Sequence, residues 1–137
     1  MPTAKCFADT NVAIYAVDAD VAKRAIALAV LAARPVISTQ VVNEYLSVLL
    51  TKRKLARAEI NELARALMAA CDVAAITPDM TELAMLIGER HQISHWDSLI
   101  VAAALVTGCD TLYSEDLQDG QVFEGRLTVK NPFAGSS

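Results

Sequence analysis

The chain has 137 residues, of which 54% are hydrophobic, and carries a formal net charge of −4. This length and apolar content suit one packed domain with a full core and exclude a disordered chain. No apolar run approaches the ~20 residues that span a bilayer, and nothing near the N-terminus reads as a signal peptide, so a cytoplasmic protein without a membrane role is expected.

Cys6, Cys71 and Cys109 are scattered and lack C-x-x-C spacing. They are expected as reduced thiols and not as a zinc site or disulfide framework. The acidic balance lacks the basic footprint of a protein that binds nucleic acid by charge alone. Lys52-Arg53-Lys54 with Arg57 is a local basic cluster, expected at the solvated junction of two helices. Acidity does not exclude a nucleic-acid enzyme, because bound divalent cations reverse the charge of a carboxylate cluster.

In chain order, Lys5-Cys6-Phe7-Ala8 reads as a short strand ending in Asp9-Thr10-Asn11, turn formers that start a short helix over 12–17. An Ala-rich helix is expected over 20–33, then a strand at 36–38. Val41, Val42, Tyr45, Val48 and Leu49 recur at helical spacing and define the core face of the next helix. Glu44 lies beside that face, one turn in. A helix over 57–71, a strand at 73–76 and a helix from Pro78 to near His91 follow. Ser94 then opens a helix running to Val106, apolar on nearly every side, with Asp97 in its first turn in the S-x-x-D pattern of a capped start. Strands at 111–113 and 127–129 complete the set. Residues 1–133 are expected as a single domain and 134–137 as a flexible tail.

Short strands alternating with helices predict an α/β fold, a three-layer α/β/α sandwich with a parallel central sheet of about five short strands. Asp9 and Asp116 follow the first and fourth strands. If those strands are neighbours at a topological switch point, their carboxylates share one crevice. The start of the Asp97 helix falls at the opposite edge in a simple crossover, so Gln92-Ile93 must carry the chain back.

Each acidic residue has a plain structural role available, Asp9 and Asp97 as helix caps and Glu44 as a solvated side chain. Together, Asp9, Glu44, Asp97 and Asp116 would repel one another, a conflict that a hard divalent cation removes. Oxygen-only ligation points to Mg²⁺ or Mn²⁺. Such cations commonly serve phosphate chemistry by activating water and neutralising developing charge. Thr10, Asn11 and Ser114 are placed to orient the ligands. His91 and His95 straddle a helix boundary and do not form a paired metal site. No G-x-S-x-G elbow or glycine-rich phosphate loop is present.

Asp9-Thr10-Asn11 after the first strand, Val41-Val42-Asn43-Glu44-Tyr45, and Trp96-Asp97 opening the apolar helix resemble the PIN-domain family. Ser114-Glu115-Asp116-Leu117-Gln118-Asp119-Gly120 and Asn131-Pro132-Phe133 extend the resemblance, which is strongest to the VapC-type toxins of bacterial type II toxin–antitoxin systems. It implies a metal-dependent ribonuclease using Mg²⁺ or Mn²⁺, with Asp9, Glu44, Asp97 and Asp116 as acidic site residues. Asp9, Asp97 and Asp116 would hold the metal. Asp119 is a fifth candidate, with a turn role before Gly120 as its simpler reading. The resemblance also implies an RNA substrate, a homodimer and a small cognate antitoxin. Two other classes stay open. One is an aspartate-dependent phosphatase or phosphoacceptor domain using Asp9, although Asn11 stands where such phosphatases usually carry a second aspartate and Lys130 matches a receiver lysine only loosely. The other is a non-catalytic interaction module.

Overall fold

The computed structural model describes residues 5–52 and 54–135. Arg53 of the basic cluster, and Ser136 and Ser137 of the expected tail, lie outside the described residues. The described chain runs β1 (Cys6–Ala8), α1 (Thr10–Tyr15), α2 (Val21–Ala32), β2 (Val36–Ser38), α3 (Thr39–Lys52), α4 (Arg57–Ala70), β3 (Asp72–Ala74), α5 (Pro78–His91), α6 (His95–Val106), β4 (Thr111–Tyr113), β5 (Val122–Phe123) and β6 (Leu127–Lys130).

The strands form one sheet in the order β3-β2-β1-β4-β6-β5. All neighbours pair in parallel except β5 and β6. β1 lies between β2 and β4, with Phe7 opposite Val36 on one side and Leu112 on the other. The chain builds outward from β1 to β3, then returns to β1's other flank with β4. That reversal opens a crevice beyond the carboxyl ends of β1 and β4, where α/β sheets bind ligands.

Consecutive residues of the central strands are buried, as in Phe7-Ala8 and Val36-Ile37-Ser38. In a strand, consecutive side chains face opposite sides, so both sheet faces are covered. Helices α1 to α4 pack with one another, and α5 packs along α6. Gly88 of α5 permits that approach, since a Cβ there would stand 3.2 Å from Ser98 Oγ. The apolar pattern of α6 is explained by its position, with every residue from Ser98 to Leu105 buried.

The β3–β4 crossover holds two helices. Gln92, at φ 55°, ends α5 in the left-handed conformation, with its N–H donating to Gly88 O at 3.0 Å. Ser94 then caps α6, accepting from Asp97 N–H at 3.1 Å. Gln40 Nε2, at the start of α3, donates to Trp96 O at 3.1 Å, so α6 begins at the carboxyl edge of the sheet. Its other end lies near the start of β1, where Lys5 Nζ donates to Thr107 O at 2.8 Å. The expected return of the chain through Gln92-Ile93 is thus realised.

Among the described residues the sheet has six strands, one beyond those marked in the sequence. β5 is the addition, joined to β6 by a tight hairpin over 124–126 in which Phe123 pairs with Leu127 and Arg126 N–H donates to Phe123 O at 3.1 Å. Glu124 and Gly125 both have positive φ, 53° and 69°. Such turns favour Asn-Gly or Asp-Gly, and a glutamate there gives no sequence signal. Tertiary contact supplies the stabilisation: Arg90 Nη1 donates to Glu124 Oε2 at 2.9 Å. Cys6, Cys71 and Cys109 are free thiols, and burial pushes the Cys71 thiol up to about 11.

Leu112 sits at the centre of β4 with no exposed surface. Leu112→Ala is expected to cost about 2–5 kcal/mol, read as a lowered urea midpoint at unchanged m-value.

Candidate active site

The Asp9-Thr10-Asn11 turn holds the site together: Asp9 and Asn11 bind the loop over 114–116, and Thr10 binds Glu44 of α3. β1 carries Asp9 to the carboxyl edge, where its N–H donates to Tyr113 O at 2.9 Å. Its extended backbone (φ −72°, ψ 165°) makes it the N-cap of α1. Asp9 Oδ1 accepts from Thr10 N–H at 2.7 Å and Oδ2 from Ser114 Oγ at 2.8 Å. Ser114 is fully buried, and its Oγ also accepts from Asp116 N–H at 3.1 Å. One hydroxyl therefore ties the β1 carboxylate to the loop that carries the β4 carboxylate.

Thr10 Oγ1 donates to Glu44 Oε1 at 3.4 Å, joining the turn to α3. Asn11 uses both ends of its amide: Nδ2 donates to Asp116 Oδ2 at 3.3 Å and Oδ1 accepts from Glu115 N–H at 3.3 Å. Thr10, Asn11 and Ser114, expected to orient ligands, each hydrogen-bond an acidic side chain, Glu44, Asp116 and Asp9 respectively. Asp119 stands apart from them, exposed, with its Oδ1 accepting from Asn131 N–H at 2.8 Å. That bond reaches twelve residues along the chain, to the segment that follows β6. His91 lies against the Phe123 ring and Glu124, and His95 against the Trp96 ring, so the two point to different surroundings.

Asp97 joins the cluster through space. Burial is the main cause that raises its carboxyl above the usual range, the Ser94 hydroxyl lowers it, and Asp116 raises it. Asp9 is the most perturbed group. It is only 4% exposed, and burial pushes its carboxyl from 3.8 up to about 7, against the lowering effect of the Ser114 and Thr10 hydrogen bonds. Asp116 and Asp97 push it further the same way. Among the described residues, no three His, Cys, Asp or Glu side chains are gathered closely enough to enclose a metal ion. The donor set is nonetheless all oxygen, and the charges acting on buried Asp9 are of its own sign.

A groove of about 320 Å³ runs over this turn, lined by Thr10, Asn11, Tyr15, Glu44, Lys52 and Asp116 among others. Tyr15 was not legible as a site residue. Its hydroxyl donates to Glu115 Oε1 at 2.8 Å and accepts from Lys23 Nζ at 3.3 Å, bracing the loop beside Asp116. The available signal was its position four residues after Asn11, on the same side of α1. Gln40, buried at the start of α3, was also missed, since nothing in the sequence marks a glutamine that reaches another helix.

The crossover topology places an acidic crevice at the switch point of an α/β fold. The PIN domain family model matches residues 6–118, and the chain belongs to that family. Its fold is similar to a toxin–antitoxin complex from Klebsiella pneumoniae, with TM-score 0.70 and 18% identity over 93% of this chain and 98% of that one. It is also similar to FitAcB from Neisseria gonorrhoeae, with TM-score 0.72 and 17% identity over 94% and 99%. A third similar structure is a sarcin–ricin-loop-cleaving VapC toxin of Mycobacterium tuberculosis, with TM-score 0.63 and 22% identity over 82% and 90%. No curated protein matches the chain significantly. Among the described residues, no helix is long and apolar enough to cross a membrane.

The buried carboxyl of Asp9 has a consequence for stability. With its pKa raised from 3.8 to about 7, protonated Asp9 stabilises the fold, an effect fully present below about pH 4 and lost as pH rises through about 7. In EDTA, wild-type resistance to urea should therefore fall over that window relative to Asp9→Asn, whose profile should be flatter. Superimposable profiles would show that the carboxyl titrates normally.

Proposed function

We propose that this chain is a metal-dependent endoribonuclease that hydrolyses RNA phosphodiester bonds, the toxin half of a VapBC-type toxin–antitoxin pair acting in the cytoplasm. One observation carries the reading: in a PIN-family chain, the Asp9-Thr10-Asn11 turn links Ser114, Glu44 and Asp116 at the switch-point crevice, with Asp97 in electrostatic reach. The known toxin that cleaves the sarcin–ricin loop shares this fold.

An all-oxygen set of mutually repelling carboxylates fits a hard divalent cation, and Asp9, Asp97 and Asp116 would hold Mg²⁺ or Mn²⁺. Such a cation, when bound, supplies charge neutralisation at the phosphate and an activated water. The chain's own residues do the positioning. Ser114 and Thr10 N–H fix the two Asp9 oxygens, and Asn11 fixes Asp116. Thr10 holds Glu44, which acts as a further ligand or takes a proton from the attacking water. Water is the nucleophile, and no covalent enzyme intermediate is needed. The phosphoacceptor reading would instead use Asp9 itself as the nucleophile.

An antitoxin has a surface to meet. A groove of about 340 Å³ between α1, α2, α3 and α4 is lined by Val17, Leu28, Leu31, Tyr45, Leu63 and Leu67 among others. Leu28 is 51% exposed there. The similar structures from Klebsiella pneumoniae, Rickettsia felis and Salmonella typhimurium are toxin–antitoxin complexes, which supports a small protein partner with an apolar face for this groove.

The deciding assay incubates purified protein, stripped of any co-purifying partner, with a mixed pool of tRNA and rRNA. Cleavage is expected with Mg²⁺ or Mn²⁺ and none with EDTA. Asp9→Asn and Asp97→Asn should each lose at least about a hundredfold in rate. Unfolding free energy of Asp97→Asn should stay within about 1 kcal/mol of wild type. No cleavage in either metal would favour the interaction module.

A further inference from the structure

Glu44 borders a second, larger groove, about 510 Å³, whose lining includes Gln40, Asn43, Ile76, Trp96 and Leu99. Three features of it are unexplained by the carboxylate cluster. Trp96 leaves 64% of its surface exposed on a helix otherwise buried from Ser98 to Leu105. Gln40 is 9% exposed, and its Nε2 bond to Trp96 O fixes the amide beside the indole-bearing turn. Gln40 Oε1 is buried and has no hydrogen-bond partner among the described residues. A buried acceptor without a donor is costly and needs a reason.

We propose that this groove is a nucleobase pocket for an unpaired base of the RNA, next to the phosphate held at the carboxylates. It rests on the ribonuclease reading and adds a subsite to it. The Trp96 indole supplies a face for the base to stack on, and Ile76 and Leu99 supply apolar walls. Gln40 Oε1 is shielded by the side chains around it; when these shift to admit a base, it accepts from an N–H on the base edge, the donor that the amide lacks. A phosphate group would bring only acceptors to this acceptor, and an alkyl chain would leave it unpaired. Glu44 borders both grooves, so a nucleotide neighbouring the scissile phosphate can place its base here without the strand leaving the surface. A base inside a duplex is not available to this pocket, so cleavage selects unpaired segments.

Trp96 is the chain's single tryptophan, so its fluorescence reads the pocket directly. In EDTA, which prevents cleavage, an unstructured RNA decamer of mixed sequence is titrated against an abasic oligonucleotide of the same length. The decamer is expected to quench the emission by half or more, and the abasic strand to leave it unchanged. Gln40→Leu should weaken decamer binding about tenfold. Trp96→Ala, at an exposed position, should do the same by anisotropy of a labelled decamer. Equal quenching by both strands, or none, overturns the pocket. So does an emission change with protein concentration alone, which would mean that a second copy covers the groove. The companion assay is cleavage in Mg²⁺. Cleavage with no quenching, and with cut sites unchanged in both variants, overturns the pocket and leaves the nuclease standing. Base-dependent quenching without cleavage in either metal retains the pocket and removes the nuclease.

Discussion

The hydrogen bond from Ser114 Oγ to Asp9 Oδ2 is the contact on which the rest of the site depends. It joins residues 105 apart in sequence, inside a region with almost no exposure. A carboxylate taken out of water demands hydrogen bonds, and those available are Ser114 and the Thr10 N–H. They only partly offset the burial, which is why the carboxyl stays raised to about 7. A core that retains such a group holds an electrostatic strain that a packed apolar residue would not. The same hydroxyl accepts from Asp116 N–H, so burial of one carboxylate sets the position of another.

The sheet order makes that contact available. β1 and β4 are adjacent only because the chain reverses direction across the sheet after β3. Their carboxyl ends then present Asp9 and Ser114 side by side. The α5–α6 pair completes the arrangement, since a second helix in the crossover lets α6 begin at the same edge and bring Asp97 into the field of Asp9 and Asp116. Three separate returns of the chain, at β1, β4 and α6, thus converge on one edge, while α3 contributes Glu44 from the side. The grooves that meet at Glu44 follow from this convergence, as helix starts crowd around strand ends and leave space between them.

Much of this was legible beforehand because local signals agree with the fold. Asp9 and Ser94 cap helices as their positions suggest, and Pro78 stands at the start of α5. The uninterrupted apolar run of α6 announced its burial. Elements held in place by distant contacts were not legible. β5 depends on a hairpin with Glu124 at positive φ, held by Arg90 from another helix. Tyr15, Gln40 and the exposure of Trp96 acquire meaning only from what lies across the site, at Glu115 and where α3 meets the first turn of α6.

The sequence by itself determined the buried helix, the acidic residues and every element type except β5, because periodicity, capping and turn chemistry act over a few residues. It also carried the ordered motifs of the PIN family. The tertiary structure decided which carboxylates meet, how far Asp9 is removed from water, and where the grooves open. Those properties depend on desolvation and on charges brought together across about a hundred residues of chain, and no local pattern encodes them.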